Sequence, residues 1–112
     1  MYRMLTCFNL KPGTSLDQFQ SALDALSAWL IDHQHIIDTG PIGRRHRHPV
    51  MDTDDQRNHE YFFLMNFADL AQCDRAVELF RPREAPVEPL HGAVIEKISE
   101  PVFICWEDVT PT

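Results

Sequence analysis

Hydrophobic and polar positions alternate along Tyr2–Leu10. Tyr2, Met4, Thr6, Phe8 and Leu10 fall on one face, and Arg3, Leu5, Cys7 and Asn9 on the other. A period of two with apolar residues on both sides predicts a strand whose two faces are both covered. Lys11-Pro12-Gly13-Thr14 reads as a turn. Ser15 with Gln18 three positions on is a capping-box pattern, and Leu16, Phe19, Leu23, Leu26 and Leu30 follow at steps of three and four. That stripe, widened by Ala22 and Trp29, predicts a helix to about Asp32. Gly40-Pro41 ends whatever remains helical.

The second half repeats the scheme. Ile42–Val50 predicts a strand, and Met51–Asn58 a polar loop rich in Asp. His59–Phe67 carries the strongest alternation, with Tyr61, Phe63, Met65 and Phe67 on one face and Phe62 and Leu64 on the other. Asp69 is placed to cap a second helix with the stripe Leu70, Cys73, Ala76, Val77 and Phe80. Arg81–Pro89 reads as a loop carrying Pro82, Pro86 and Pro89. Leu90, Val94 and Ile98 at four-residue steps predict a short third helix stopped by Pro101. Val102–Trp106 predicts a last strand, with Val102, Ile104 and Trp106 facing one way and Phe103 and Cys105 the other.

The order β-α-β-β-α-(α)-β predicts one α+β, ferredoxin-like domain over residues 1–112: a four-stranded antiparallel sheet with helices on one face. The other face then carries uncovered apolar side chains. Large patches of that kind are unusual on monomers, so a homodimer related by a two-fold axis is expected.

Composition narrows the partners. The 112 residues are 44% apolar, which argues against disorder, and the formal net charge of −7 argues against nucleic acid. The longest apolar run, Tyr61–Met65, is too short for a membrane span. After Arg3 the apolar run is broken at Lys11-Pro12-Gly13 with no small-residue cleavage site, so no secretory signal is expected and a cytoplasmic location follows. Cys7, Cys73 and Cys105 are odd in number and widely spaced, which suits reduced thiols buried as small hydrophobes.

The opening strand with Lys11-Pro12-Gly13, the helix from Leu16, Glu60–Phe67 followed by Asp69-Leu70, and Leu90-His91-Gly92-Ala93-Val94 ahead of the last strand together resemble the dimeric α/β barrel superfamily, including its stress-responsive branch. In that superfamily two ferredoxin-like subunits close their sheets into one barrel. The resemblance spans nearly the whole chain and implies the fold more than a chemistry. Relatives include cofactor-independent monooxygenases, haem-degrading enzymes, polyketide cyclases, lactone isomerases and stress-response proteins. The haem-degrading relatives use an Asn, a Trp and a His. Asn9 and Trp106 do not match that motif residue by residue.

The sequence holds no P-loop, G-x-G-x-x-G, H-E-x-x-H or G-x-S-x-G. His46 and His48 would share a strand face, and His59 could approach them. Arg44, Arg45 and Arg47 beside them disfavour a dication and are expected to pair with Asp52, Asp54 and Asp55, so no metal and no cofactor are expected. His33 and His35 end the first helix, where imidazolium suits the helix dipole. The resemblance places a recurrent histidine of the superfamily at His91. In polyketide cyclases such a histidine acts as general base or substrate orienter beside a tyrosine, a part open here to Tyr61. Imidazole needs little tuning to act as a base near neutrality, and Gly92 would let a ligand approach. Phe8, Phe63, Phe67, Phe103 and Trp106, with Tyr61, are candidates to line an apolar ligand pocket. Two functions remain. One is a non-catalytic module that binds a small hydrophobic molecule or serves in a stress response. The alternative is a cofactor-independent enzyme, monooxygenase or cyclase in kind, acting on a hydrophobic carbonyl or aromatic substrate through His91 and Tyr61.

Overall fold

The computed structural model describes residues 1–111. Its elements run β1 (Tyr2–Leu10), α1 (Leu16–Asp32), β2 (Asp38–Thr39), β3 (Gly43–Arg44), β4 (Tyr61–Phe67), α2 (Leu70–Phe80), α3 (Val87–Ile95) and β5 (Ile98–Glu107). The strands form one antiparallel sheet in the order β2-β4-β1-β5, with β3 also on β4. This is the expected ferredoxin-like α+β fold, with the second of its four strands broken into two short pieces.

Alternation places the core. Tyr61, Phe63, Met65 and Phe67 are all buried, and Phe62, Leu64 and Asn66 between them are half-buried. In β1, Phe8 is fully buried on the same side, and it packs on Phe19 of α1 with ring centroids 4.6 Å apart. The α1 stripe of Phe19, Leu23, Leu26 and Leu30 is buried against the sheet. Both bonds of the capping box form: Gln18 N–H donates to Ser15 Oγ at 3.1 Å, and Ser15 N–H to Gln18 Oε1 at 2.9 Å. At the other end, His33 caps α1, its Nδ1–H donating to the Trp29 carbonyl at 2.8 Å while its ring stacks on the indole at 4.0 Å.

Of the expected strand Ile42–Val50 only Gly43–Arg44 forms, paired with β4. β3 ends at Arg44, and the chain then turns under the control of Arg45. That guanidinium, with 7% of its side chain exposed, takes both oxygens of Asp52 at 2.8 and 2.7 Å and the carbonyls of Asp54 and Arg57. Bonds inside the loop replace ladder bonds, and Pro41 and Pro49 have no N–H to give. The expected partners are partly rearranged: Arg44 pairs with Glu60, and Asp54 with Arg57.

Three further expectations shift. In α2, Leu70 and Val77 are exposed, and Gln72 and Ala76 are the buried residues. Gln72 takes an inward place because its amide donates to the Gln34 carbonyl at 2.9 Å and accepts from Ala68 N–H at 2.7 Å. The third helix starts at Val87 and ends at Ile95, and Ile98 opens β5 instead of closing the helix. Pro89 is tolerated in the first turn, where backbone N–H groups have no intrahelical partner. Pro101 lies within β5 rather than before it. It follows Glu100, whose φ is +54°, at a register shift between Cys7 and Asn9, and a bulge on an edge strand accommodates proline. Of the cysteines, Cys7 is buried, Cys73 half-buried and Cys105 exposed, so Cys105 departs from the expected burial.

Register defines the sheet face away from the helices. Leu64, Leu5 and Ile104 lie in one row across it, Phe62, Cys7 and Val102 in the next, and Asn66, Arg3 and Trp106 in a third. Ile104 and Trp106 are 39% and 40% exposed. Among the described residues no helix is long and apolar enough to cross a membrane.

Candidate functional site

His91 projects from α3 toward the end of α2, where its ring centroid lies 4.5 Å from that of Phe80. It borders two spaces. The larger is an open groove of about 700 Å³ with Val77, Phe80 and Ile95 as its apolar surface and Lys11, Arg81, Arg83, Glu88 and Glu96 around them. The smaller, of about 50 Å³, lies between α1, α3 and the sheet, bordered by Met4, Thr6, Phe63, Met65 and Phe103. A void of that size holds a few waters at most, so a ligand's body belongs in the groove. Burial pushes the His91 imidazole below its usual value of 6.5; Arg83 acts in the same direction and Glu88 against it.

Thr6 is the polar member of the inward row of β1. Its hydroxyl is buried without a hydrogen-bond partner and borders the small space beside His91. Such an orphan costs free energy unless water or a ligand satisfies it. The alternation of Tyr2, Met4, Thr6, Phe8 and Leu10 carried the signal for this residue. Phe80 was read only as part of the α2 stripe, and Lys11 and Arg83 carried no signal, because the end of β1, α2 and α3 meet only in the folded chain.

Tyr61 does not join His91. Neither space bordered by His91 includes Tyr61. Tyr61 is buried in a ring cluster with Phe8 and Phe63, 5.6 Å from the Phe8 centroid, and its hydroxyl accepts from Arg44 at 3.4 Å. The acid–base pair of His91 with Tyr61 is therefore not assembled. The five-ring pocket is not one cavity either. Phe63 and Phe103 do meet at the small space beside His91, but Phe8 and Phe67 are buried in the packed core away from it, and Trp106 lies on the opposite face of the sheet.

The remaining histidines are separated. His48 Nδ1 accepts the N–H groups of Val50 and Met51, and its ring is 6.3 Å from that of His46. His59 is buried elsewhere, its Nε2–H donating to the Glu100 carbonyl at 2.7 Å, with Nδ1 unpartnered. It braces the start of β4 against the bulge of β5. Among the described residues no three His, Cys, Asp or Glu side chains group as metal ligands.

No protein-family model and no curated protein matches this sequence. Solved structures match it over nearly its whole length. The Arabidopsis thaliana protein At3g17210 superposes with a TM-score of 0.74 at 6% identity, covering 100% of this chain and 99% of that one. A dimeric ferredoxin-like protein of unknown function from a Jannaschia species gives 0.65 at 13% identity, covering 96% and 98%. Hydroxynitrile lyase from Passiflora edulis gives 0.62 at 12%, covering 98% and 96%. At these identities the likeness is one of fold, and it bears out the ferredoxin-like fold read from the sequence.

Proposed function

We propose that the protein is a homodimeric, non-catalytic module that binds a small, largely apolar molecule in the His91 groove. The observation that carries this is the groove itself: about 700 Å³, floored by Phe80, Val77 and Ile95, with a mostly neutral imidazole at its inner end. That volume lies in the range of small-molecule sites, and a few polar groups on an apolar wall are their usual chemistry. The tyrosine donor expected beside His91 does not line the groove, which supports binding over the cyclase-like chemistry.

The dimer would close through the outer sheet face. Leu5, Leu64, Val102, Ile104 and Trp106 form an apolar surface with no helix over it. The Jannaschia protein of the same fold is dimeric, which supports this reading.

Gly92 provides the test of the groove. A Cβ built there meets only Glu88 Oε1, at 4.0 Å, so a side chain has room to start there, and Gly92→Leu narrows the groove beside His91 while improving helix propensity. The variant is expected to fold and to lose binding of a fluorescent apolar dye that the unmodified chain binds. Equal binding by both would overturn the reading.

Burial of His91, which disfavours its charged form, supports one second reading, in which it removes a proton from a carbonyl substrate, and the Passiflora neighbour is a lyase. His91-dependent exchange of the α-protons of a bound aromatic ketone in deuterium oxide would establish it. Exchange unchanged in His91→Ala would exclude it.

A further inference from the structure

We propose that the His91 groove selects amphipathic anions: small molecules whose apolar body lies on Phe80 and Ile95 and whose carboxylate, sulfonate or phosphate is held by Lys11 and Arg83. This rests on the reading of the groove as a ligand site.

The distribution of cations carries the inference. The chain has 10 Lys and Arg against 17 Asp and Glu, so an unopposed cation is scarce. Arg3, Arg44, Arg45, Arg57, Arg81 and Lys97 are each paired with a carboxylate. Among the described residues Lys11, Arg47, Arg75 and Arg83 are not. Two of those four, Lys11 and Arg83, border this groove. They come from separate elements. Lys11 follows β1, anchored by its N–H to the Lys97 carbonyl at 2.9 Å. Arg83 follows α2, where its N–H bonds the Phe80 carbonyl at 3.1 Å and sets its stem just beyond the ring that floors the groove.

The two acids of the groove fix where the anion sits. Glu96 is taken by Lys97 at 3.4 Å. Glu88 and Arg83 both act on His91, with opposite signs, so a negative headgroup is disfavoured beside Glu88 and belongs at the unpaired cations of the rim, Arg83 ahead of α3 and Lys11 near its far end. A guanidinium presents a planar fork that matches such a headgroup. These cations are solvent-accessible, so each contact is worth roughly fivefold in affinity at most, and the two together about tenfold or somewhat more.

The test compares two dyes with the same aromatic body. One, 8-anilinonaphthalene-1-sulfonate, carries an anion, and N-phenyl-1-naphthylamine does not. Both are titrated by fluorescence into the full chain. The double variant Lys11→Gln with Arg83→Gln is expected to weaken the sulfonate about tenfold and leave the amine within about twofold. Lys11→Gln with Arg83→Lys keeps one cation and should recover part of the loss. Arg47→Gln with Arg75→Gln removes the same charge elsewhere and should change neither dye. If the ratio of the two affinities is unmoved by the Lys11 and Arg83 changes, or moves equally with the Arg47 and Arg75 changes, anion selection is overturned. The groove reading then still stands if Gly92→Leu abolishes binding of the amine. If neither dye binds, or both bind the Gly92→Leu variant as well, both readings fail.

Discussion

Phe80 closes α2 and His91 lies in α3, and their rings meet with centroids 4.5 Å apart, so the junction of two helices sets the environment of the imidazole. Burial in that junction favours the neutral ring. The unfolded chain therefore binds the proton more readily than the native one. Stability from this source is full above the ordinary value of 6.5 and is lost as pH falls below it toward the lowered native value. His35 adds to the same slope, its imidazole lowered by burial and by His33 and Arg75. His91→Gln is expected to flatten part of the fall in Tm between about pH 7 and pH 5, with the His35 share remaining. A proton NMR titration should place the His91 midpoint below 6.5. A midpoint above that value would refute the burial argument.

Asp52 is held at about 2 by the Arg45 guanidinium, well below its ordinary 3.8. The folded value is depressed, so the ion pair's contribution is full above 3.8 and is lost as pH falls toward about 2. Asp52→Asn leaves Arg45, 7% exposed, without its carboxylate. A clear loss of stability is expected in denaturant unfolding at pH 7, shrinking as pH falls toward about 2. Asp54→Ala, which removes the pair with the exposed Arg57 side chain and the bond accepted from Gln56 N–H, should cost less than Asp52→Asn.

Trp106 and Ile104 are the most accessible large apolar residues of the outer sheet rows. If that face joins two copies, Trp106→Glu is expected to yield a monomer in sedimentation while the protomer's far-UV spectrum stays unchanged. A wild-type protein sedimenting as a monomer at micromolar concentration would remove the dimer.

Phe63 is 6% exposed and packs with the rings of Phe8 and Phe19. Phe63→Ala is expected to cost about 3–5 kcal/mol in denaturant unfolding. A cost below about 1 kcal/mol would mean that the ring does not fill the core.

Where a pattern is local and repeated, the sequence was informative. The capping box at Ser15, the α1 stripe and the alternation of Tyr61–Phe67 each specify an element through several agreeing residues. The misjudged segments depend on contacts between distant parts of the chain. Arg45 turns the chain by reaching Asp52 and the carbonyls of Asp54 and Arg57, and Gln72 enters the core by reaching Gln34. Leu90, Val94 and Ile98 keep helical spacing although the last is in a strand, because the end of α3 and the start of β5 bury the same side. For the site, the resemblance singled out His91, and Gly92 beside it suits the approach of a ligand. Its partners were not, since Tyr61 shares the sheet face yet lies with Phe8 and Arg44.

Both borders of the sheet are irregular. On one side the strand is cut into Asp38–Thr39 and Gly43–Arg44 around Pro41; on the other, β5 carries the bulge at Glu100 and Pro101, which has no N–H to offer. Open-ended lateral growth requires an uninterrupted row of free donors and acceptors on both borders; the β2–β3 border supplies none, and the β5 border keeps one only past Pro101, over Val102–Glu107. Copies of this chain are thus steered away from open-ended, strand-by-strand polymerisation. Contact across the flat of the sheet uses up its surface in a single event, so the interrupted borders favour a closed, countable assembly over a fibre.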